Sequence, residues 1–441
     1  MIKKSRVCLA CLLFWPSLSS AQPPNLPLSA LDAPAESQEA IYKKASLAIA
    51  QEQYPVAIAA LEELHARFEG WPPAQISQLS LAECLAIEGR WDDALQVTER
   101  WLEFLAKHSK DDEGELLEDY WERSAHLVQI LCQQRDSDTC AKKFLLLAAP
   151  QELRFSTANL CGEQHFQRGR YELARSWLAT AFELAPEQQK ADLLQHIDYD
   201  LPLVWASKLY LNNQPKQALE LLRTLELVHA PVTQRIAIWF LQAEILATEH
   251  QNEAASRIYI DLLALAESLP IDQIAWMPTV QLRLAGLFVI QKRYAEARSL
   301  INTALSDDLA GGADAEMLFL LARIQVAEIQ LNQALETLTT ILASNNNSAE
   351  HRFRAQWMSG EVNFLKGNHA QAIVYYNPVC EQGDFPHWQS QALLQRAKCH
   401  ELLGNQEAAL ADYELLVERF PKSEPAAASS ARLAVIKPSV Y

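Results

Sequence analysis

Pairs of alanine or glycine residues twelve positions apart recur nine times along the chain. They are Ala45/Ala57, Ala82/Ala94, Gly162/Ala174, Ala206/Ala218, Ala243/Ala255, Ala285/Ala297, Ala322/Ala334, Gly360/Ala372 and Ala397/Ala409. Small side chains at this spacing let two antiparallel helices cross at close range, so each pair indicates one helical hairpin. Nine pairs spread over most of the 441 residues predict a stack of hairpins, a fold that grows without closing a single core.

The composition favours the same fold and limits the partners. The chain has only 12 glycines, whereas Ala, Leu, Glu and Gln are abundant, and these residues lose little conformational freedom in a helix. The formal net charge of −17 repels nucleic acid phosphates and anionic lipid, so we expect neither as a partner. The charge serves solubility or attracts a basic partner.

The segment 155–186 shows the repeating unit most clearly. Gly162 lies in its first helix, Gly169 in its turn, Ala174 and Ala181 in its second helix, and Pro186 at its end. This arrangement resembles the tetratricopeptide repeat, a helix–turn–helix unit of about 34 residues. The resemblance implies an all-α solenoid of about ten helical hairpins with a C-terminal capping helix.

The predicted units fall into two ranges. We expect units one and two, with an acidic connection, at 38–121, and units three to ten at 122–423. The third unit is irregular, because Gln129 stands where a small residue belongs. A capping helix and tail are expected at 424–441. The last unit has the pattern Y-x-x-L-x-x-x-F-P-x-S-x-x-A from Tyr413, and this ending is similar to the Tol–Pal-associated cell-division coordinator and to the repeat lipoprotein of the β-barrel assembly machine.

The N-terminus predicts export. Lys3, Lys4 and Arg6 precede a short apolar run, and small residues up to Ala21 offer a cleavage site, so 1–21 resembles a secretory signal peptide. The four prolines of 22–37 indicate a flexible lead-in. We therefore expect a periplasmic or outer-membrane-associated chain without a transmembrane segment.

Six cysteines follow the predicted leader: Cys84, Cys132, Cys140, Cys161, Cys380 and Cys399. An oxidising compartment permits disulfides. A Cys132–Cys140 bond would bridge one hairpin, and Cys140 could instead meet Cys161 between neighbouring helices. Buried free thiols are the third interpretation, because spacing alone does not fix a pairing.

Motifs for catalysis are missing from the sequence. There is no Gly-rich phosphate loop, no G-x-S-x-G and no H-E-x-x-H, and the 11 histidines are scattered. We expect no enzymatic activity, no cofactor and no metal.

The resemblance does imply a binding surface. In tetratricopeptide arrays the first helices line a concave groove, and unit positions five, nine and twelve tend to face it. These positions are mainly apolar, aromatic and acidic here, which suits a partner segment with apolar anchors and some basic charge, bound as a helix or an extended strand. The predicted groove residues are Tyr42, Glu83, Asn159, Glu163, Phe166, Tyr210, Phe240, Glu244, Phe319, Trp357, Glu361 and Phe364. The alternative is that these side chains pack between units.

The functional expectation is a non-catalytic envelope scaffold with protein partners. One alternative is a subunit of a polysaccharide export or secretion apparatus, in which rings such as Trp357 and Tyr210 would stack on sugars. The other is a hydrolase with an unrecognised site.

Overall fold

The computed structural model describes residues 37–108, 114–135, 138–306, 314–381 and 385–436. The regular elements in these ranges are all helical, as the sequence predicts. The predicted signal peptide, and the lead-in up to residue 36, lie outside the described residues. None of the described helices is both long enough and apolar enough to cross a membrane.

The chain divides into two compact units. The first comprises residues up to Leu209 together with Thr224–Ala230, and the second comprises Tyr210–Arg223 and the residues from Pro231 onward. The division falls in the fifth predicted hairpin. The ranges 38–121 and 122–423 proposed from the sequence stay predictions.

The first unit contains four hairpins, α1/α2, α4/α5, α6/α7 and α8/α9, whose buried side chains form one continuous core. Two short helices, α3 and α10, connect hairpins. The bounds are α1 Gln38–Ala50, α2 Tyr54–Arg67, α3 Pro72–Ile76, α4 Gln78–Ile87, α5 Trp91–His108, α6 Gly114–Arg135, α7 Asp138–Leu145, α8 Gln151–Gln167, α9 Tyr171–Leu184 and α10 Glu187–Gln195, followed by a π-helical turn at His196–Asp200 and by α11 Leu201–Leu211.

The second unit contains five hairpins, from α13/α14 to α21/α22, and a final helix. Leu433 and Ile436 of that final helix pack against Ala397, Ala409 and Tyr413, so it covers the end of the last hairpin. The bounds are α12 Pro215–Arg223, α13 Val232–Thr248, α14 Asn252–Ala266, a 3-10 turn at Ile271–Gln273, α15 Met277–Ile290, α16 Tyr294–Ser306, α17 Asp314–Ala327, α18 Leu331–Ala343, α19 Ala349–Leu365, α20 His369–Glu381, α21 Pro386–Leu402, α22 Gln406–Arg419 and α23 Glu424–Ile436.

The small-residue pairs are buried throughout, with every member shielded from solvent. At Gly162 and Gly360 the approach is too close even for a methyl group. A Cβ added to Gly162 would lie 2.7 Å from Cγ of Leu178, and one added to Gly360 would lie 2.3 Å from Cε1 of Tyr376. The second helix of each of these two hairpins therefore packs directly on the backbone of the first.

A residue in the left-handed conformation ends the first helix of all nine paired hairpins. It always stands five residues before the second small residue of the pair. Four of these residues are glycines, as the sequence suggests, and five are not, although positive φ is costly for other residues. The nine are Glu52, Gly89, Gly169, Asn213, His250, Lys292, Ile329, Gly367 and Gly404.

The third hairpin is irregular, as Gln129 predicts. Its second helix, α7, has only eight residues. The Gln129 side chain does not face α7 as a small residue would, because its Nε2 donates to Ser156 Oγ at 3.1 Å and to Thr157 Oγ1 at 3.3 Å on α8.

The connection between the fourth and fifth hairpins is helical. Residues 187–200 form α10 and the π turn, which run directly into α11. Pro186 and Glu187 begin α10 in the way that proline and acidic residues favour a helix start, so the proline that ends one helix also starts the next.

Candidate partner-binding surface

The predicted groove residues lie on first helices, and most are partly buried. Tyr42, Asn159, Glu163 and Phe166 have this intermediate exposure in the first unit, while Glu83 is buried. In the second unit Tyr210, Phe240, Glu244, Trp357, Glu361 and Phe364 are partly buried. Their outer surfaces therefore remain available to a ligand while their inner surfaces pack within the array.

Phe319 is buried like Glu83, and its prediction as an exposed groove residue is wrong. Its side chain is fully buried in α17. The guanidinium of Arg354 lies over its ring at 4.0 Å, and the His351 ring lies 6.2 Å away. Both neighbours belong to α19, so Phe319 packs between successive hairpins.

Three of the four remaining aromatic residues that the sequence predicts in the groove of the second unit lie beside other rings. Phe240 meets Tyr259 edge-on at 6.0 Å, and Trp357 lies 5.3 Å from Trp388. Phe364 lies 5.2 Å from the ring of His369. Aromatic pairs at such distances hold each other's orientation, so these rings present fixed apolar faces.

The acidic residues of the predicted groove are already engaged. In the first unit Arg123 on α6 donates Nε to Glu83 Oε1 at 2.9 Å and its second nitrogen to Oε2 at 2.6 Å. His196 Nε2 lies 3.4 Å from Glu163. Each carboxylate thus meets a side chain from the segment that begins the next hairpin.

The same arrangement recurs in the second unit. Arg283 on α15 lies 3.2 Å from Glu244 on α13, and Gln395 on α21 donates to Glu361 on α19 at 3.2 Å. A tyrosine of the second helix adds a hydrogen bond in both hairpins: Tyr259 donates to Glu244, and Tyr376 donates to Glu361 at 2.7 Å.

Burial governs the titration of this last pair. It raises the pKa of Glu361 above its ordinary value, although the hydrogen bond from Tyr376 acts in the opposite direction. Burial and the neighbouring carboxylate both raise the pKa of the Tyr376 hydroxyl, which therefore remains a donor. The acidic residues of the predicted groove therefore form contacts between hairpins, and less of their charge is available to a partner than the sequence suggests.

The sequence reasoning missed exposed aliphatic residues at the turn ends of five first helices, here called turn-edge residues. Ile87, Leu211, Ile290, Leu365 and Leu402 each stand two residues before the left-handed turn residue. All are exposed, Leu211 by 75%. The signal was available, because a large aliphatic residue precedes the turn at a constant distance.

Metal-binding clusters and cavities are the other features of the described chain that bear on ligand binding. Among the residues that the structure describes, no group of three His, Cys, Asp or Glu side chains is placed to hold a metal ion. A cavity of about 380 Å³ lies at the α13–α14 turn, lined by residues such as His250 and Arg257, and another of about 500 Å³ lies on α18. Neither is lined by the predicted groove residues.

The predicted Cys132–Cys140 bond is not formed. None of the six cysteines in the described ranges forms a disulfide in the structure, and all six are buried. Cys132 Sγ lies 2.9 Å from Cys161 Sγ, whereas Cys140 Sγ faces the carbonyl oxygen of Leu95 at 3.9 Å. The neighbour of Cys132 therefore comes from the next hairpin.

Comparison with known proteins identifies the repeat. Residues 42–109 and residues 391–423 each match a sequence model of the tetratricopeptide repeat. No curated protein matches the chain. The finer similarity of the last unit to the Tol–Pal coordinator and the β-barrel assembly lipoprotein stays a prediction.

Several solved structures are similar at low identity. PilW, a widely conserved type IV pilus biogenesis factor, is 18% identical with a TM-score of 0.41, covering 52% of this chain and 96% of PilW. PilF of Pseudomonas aeruginosa is 16% identical with a TM-score of 0.34, covering 64% and 99%. YrrB, a repeat protein with an unusual peptide-binding site, is 21% identical with a TM-score of 0.32, covering 44% and 91%. Such values say nothing about the partner of this chain.

The repeat is recognised from sequence and local geometry. The two segments that match the tetratricopeptide models lie near the two ends of the described chain. Between them six hairpins keep the same small-residue spacing and the same left-handed turn position, whereas the third hairpin departs from this spacing at Gln129. The matched segments are tetratricopeptide repeats, and the described chain has an all-α fold of helical hairpins similar to theirs.

Proposed function

We propose that the chain is a non-catalytic scaffold of the bacterial cell envelope that holds a protein segment on the first helices of its second unit. A tetratricopeptide fold implies protein partners. The observation that supports this surface is the set of partly exposed aromatic rings, Phe240 on α13 and Trp357 and Phe364 on α19, held in place by neighbouring rings.

The partner segment is expected to be mainly apolar at its anchor positions. Aromatic side chains dominate the energetics of protein interfaces because each buries a large apolar area. The acidic residues beside these rings already have partners within the array. We therefore assign the attraction for basic residues to the net charge of −17, which acts over a longer range and favours basic residues that flank the anchors.

Export is the second part of the proposal. It is supported by the basic start, the short apolar run and the small residues before Gln22. Mass measurement of the protein purified from its native host tests it, because cleavage after Ala21 leaves a chain that begins at Gln22. An uncleaved N-terminus would argue against a signal peptide.

Photocrosslinking in living cells tests the binding surface. We would place p-benzoylphenylalanine at Phe240, Trp357 or Phe364, because its ring replaces an aromatic side chain. The turn-edge residues Leu365 and Leu402 are matched control positions, because both are exposed. Leu365 lies on α19, as Trp357 and Phe364 do, and Leu402 lies on the next first helix, α21.

The proposal expects one discrete adduct of higher mass at the ring positions, with peptides of a single envelope protein, and no such adduct at the controls. Adducts at the controls alone would move the binding surface to the turn-edge residues. An absence of adducts at all ring positions, together with oligosaccharide binding that is lost in Trp357→Ala, would favour the polysaccharide export alternative.

A further inference from the structure

Two buried thiols meet between the third and fourth hairpins. Cys132 lies near the end of α6 and Cys161 lies within α8, and both side chains are buried. Their sulfur atoms are 2.9 Å apart. A disulfide bond is about 2.05 Å long, so a shift of less than about 1 Å would bring the sulfurs to bonding distance.

Polar contacts on both sides of the sulfur pair hold α6 and α8 next to each other. Gln129, one helical turn before Cys132, donates to Thr157, which lies one turn before Cys161. Beyond the thiols, Arg168 donates to the carbonyl oxygen of Gln133 at 2.5 Å. The two helices therefore run side by side in one register, with the sulfur pair between the two contacts.

We propose that Cys132 and Cys161 form a disulfide bond that joins the third hairpin to the fourth. The third hairpin has the short second helix α7, and its first helix α6 supplies the cysteine that meets α8. A covalent link at this point fastens the first helices of two successive hairpins to each other.

The bond forms by thiol–disulfide exchange with an organic disulfide such as oxidised glutathione. One cysteine thiolate attacks that disulfide and displaces one thiol. The second cysteine thiolate then attacks the mixed disulfide and displaces the other thiol. The two cysteines lose two protons and two electrons in total, and the organic disulfide is reduced to two thiols.

Exchange is expected during folding rather than afterwards. In the folded chain the hydrogen bond with Cys132 and burial both raise the pKa of the Cys161 thiol, which disfavours the reactive thiolate. Both sulfurs are also inaccessible to an external disulfide. The bond therefore closes while α6 and α8 are docking.

Cys140 provides an internal comparison. It is fully buried near the Leu95 carbonyl on α5, and burial raises its pKa to about 12. It stands closest in sequence to Cys132, yet the contact on α5 turns it away from the pair. The structure therefore distinguishes the Cys132–Cys161 bond from both pairings that the spacing suggests.

Peptide mapping of the full chain tests the assignment. The protein is refolded in a buffer of oxidised and reduced glutathione, alkylated, and digested with trypsin without reduction. The sequence places the three cysteines on separate tryptic peptides, 124–135, 136–142 and 155–168. We expect 124–135 linked to 155–168, with a mass two hydrogens below the sum of the two peptides, and 136–142 alkylated.

Variants and stability give a second readout. Cys140→Ser keeps the linked peptide, whereas Cys161→Ser loses it. The oxidised wild-type protein unfolds at a higher denaturant concentration than the reduced one, and this difference disappears in Cys161→Ser. A link that involves 136–142, or alkylated Cys132 and Cys161 after refolding, would overturn the proposal, and the wild-type map decides this even if a variant fails to fold.

Discussion

Replacing Gly360 by alanine is expected to destabilise the second unit, although alanine is the better helix former. The added Cβ would lie 2.3 Å from Cε1 of Tyr376 and 2.7 Å from Cδ1 and Cζ. Tyr376 is fully buried, and its hydroxyl donates to Glu361 at 2.7 Å. The ring therefore cannot move away without losing packing and this hydrogen bond.

The magnitude follows from two opposing contributions. Alanine in place of glycine inside a helix gains about 1 kcal/mol. Forcing an extra methyl group into a packed core costs about 1–3 kcal/mol, and this contact is at the severe end because the neighbour is a rigid ring. The free energy of unfolding of Gly360→Ala is expected to fall by up to about 2 kcal/mol.

Gly286 is the matched control. It lies in the interior of α15, also a first helix of the second unit, and an added Cβ would meet no atom within 4 Å. Gly286→Ala should therefore show the helix gain alone, about 1 kcal/mol of added stability. Guanidinium titrations followed by circular dichroism, under identical conditions, give both free energies of unfolding.

The comparison has a clear contrary outcome. If Gly360→Ala is as stable as Gly286→Ala, then Tyr376 does not pack on the backbone of α19 as described. A second test is the double variant Gly360→Ala/Tyr376→Leu. Leucine lacks the ring, so the double variant should lose less stability than the two single variants together.

Three further predictions concern other contacts. Arg123→Met leaves the buried Glu83 carboxylate without its main partner, so the free energy of unfolding measured by denaturant titration should fall by up to about 3 kcal/mol. Arg257→Met, which removes an exposed ion pair, should lower it by less than about 0.5 kcal/mol, and equal losses would contradict the burial argument. Burial raises the pKa of Glu361, so the folded state binds its proton more tightly than the unfolded state, and stability is lost as pH rises through 4.5 to the folded pKa. Glu361→Gln removes this loss, so the denaturation midpoint of the variant relative to that of the wild type should rise as the pH increases above 4.5, and a fall would show that the folded pKa is lowered. Ile329→Gly should raise the midpoint of thermal unfolding. A β-branched residue at φ 62° carries about 1 kcal/mol of backbone strain, and glycine at the same φ does not. An unchanged or lower midpoint would indicate that the turn is relaxed.

The helical hairpins could be predicted because packing demands small residues wherever helices cross. This requirement recurs with the repeating unit, so the spacing of small residues can be read directly from the sequence. The turns were only partly predictable. Glycine at Gly89 or Gly169 signals a left-handed residue, but His250 and Ile329 adopt the same conformation without any such signal, because the packed helices on either side impose it.

The exposure of the proposed binding residues was harder to predict, since it depends on contacts between hairpins. Phe319 and Trp357 occupy the same unit position, yet an arginine from the next hairpin covers only the former. The partner of Glu83 stands 40 residues away, and the partner of Cys132 stands 29 residues away. Spacing within one unit cannot show such neighbours.

The pairing of carboxylates with the following hairpin has a consequence for modularity. Arg123, His196, Arg283 and Gln395 each meet a glutamate of the preceding hairpin, and these partners are of three kinds: two arginines, a histidine and a glutamine. Junctions with different partner types therefore accept their own neighbours better than neighbours taken from one another. Replacing an internal hairpin by one with a different partner residue would change two junctions, and deleting a hairpin would create one new junction, so these contacts favour the native order of the repeats.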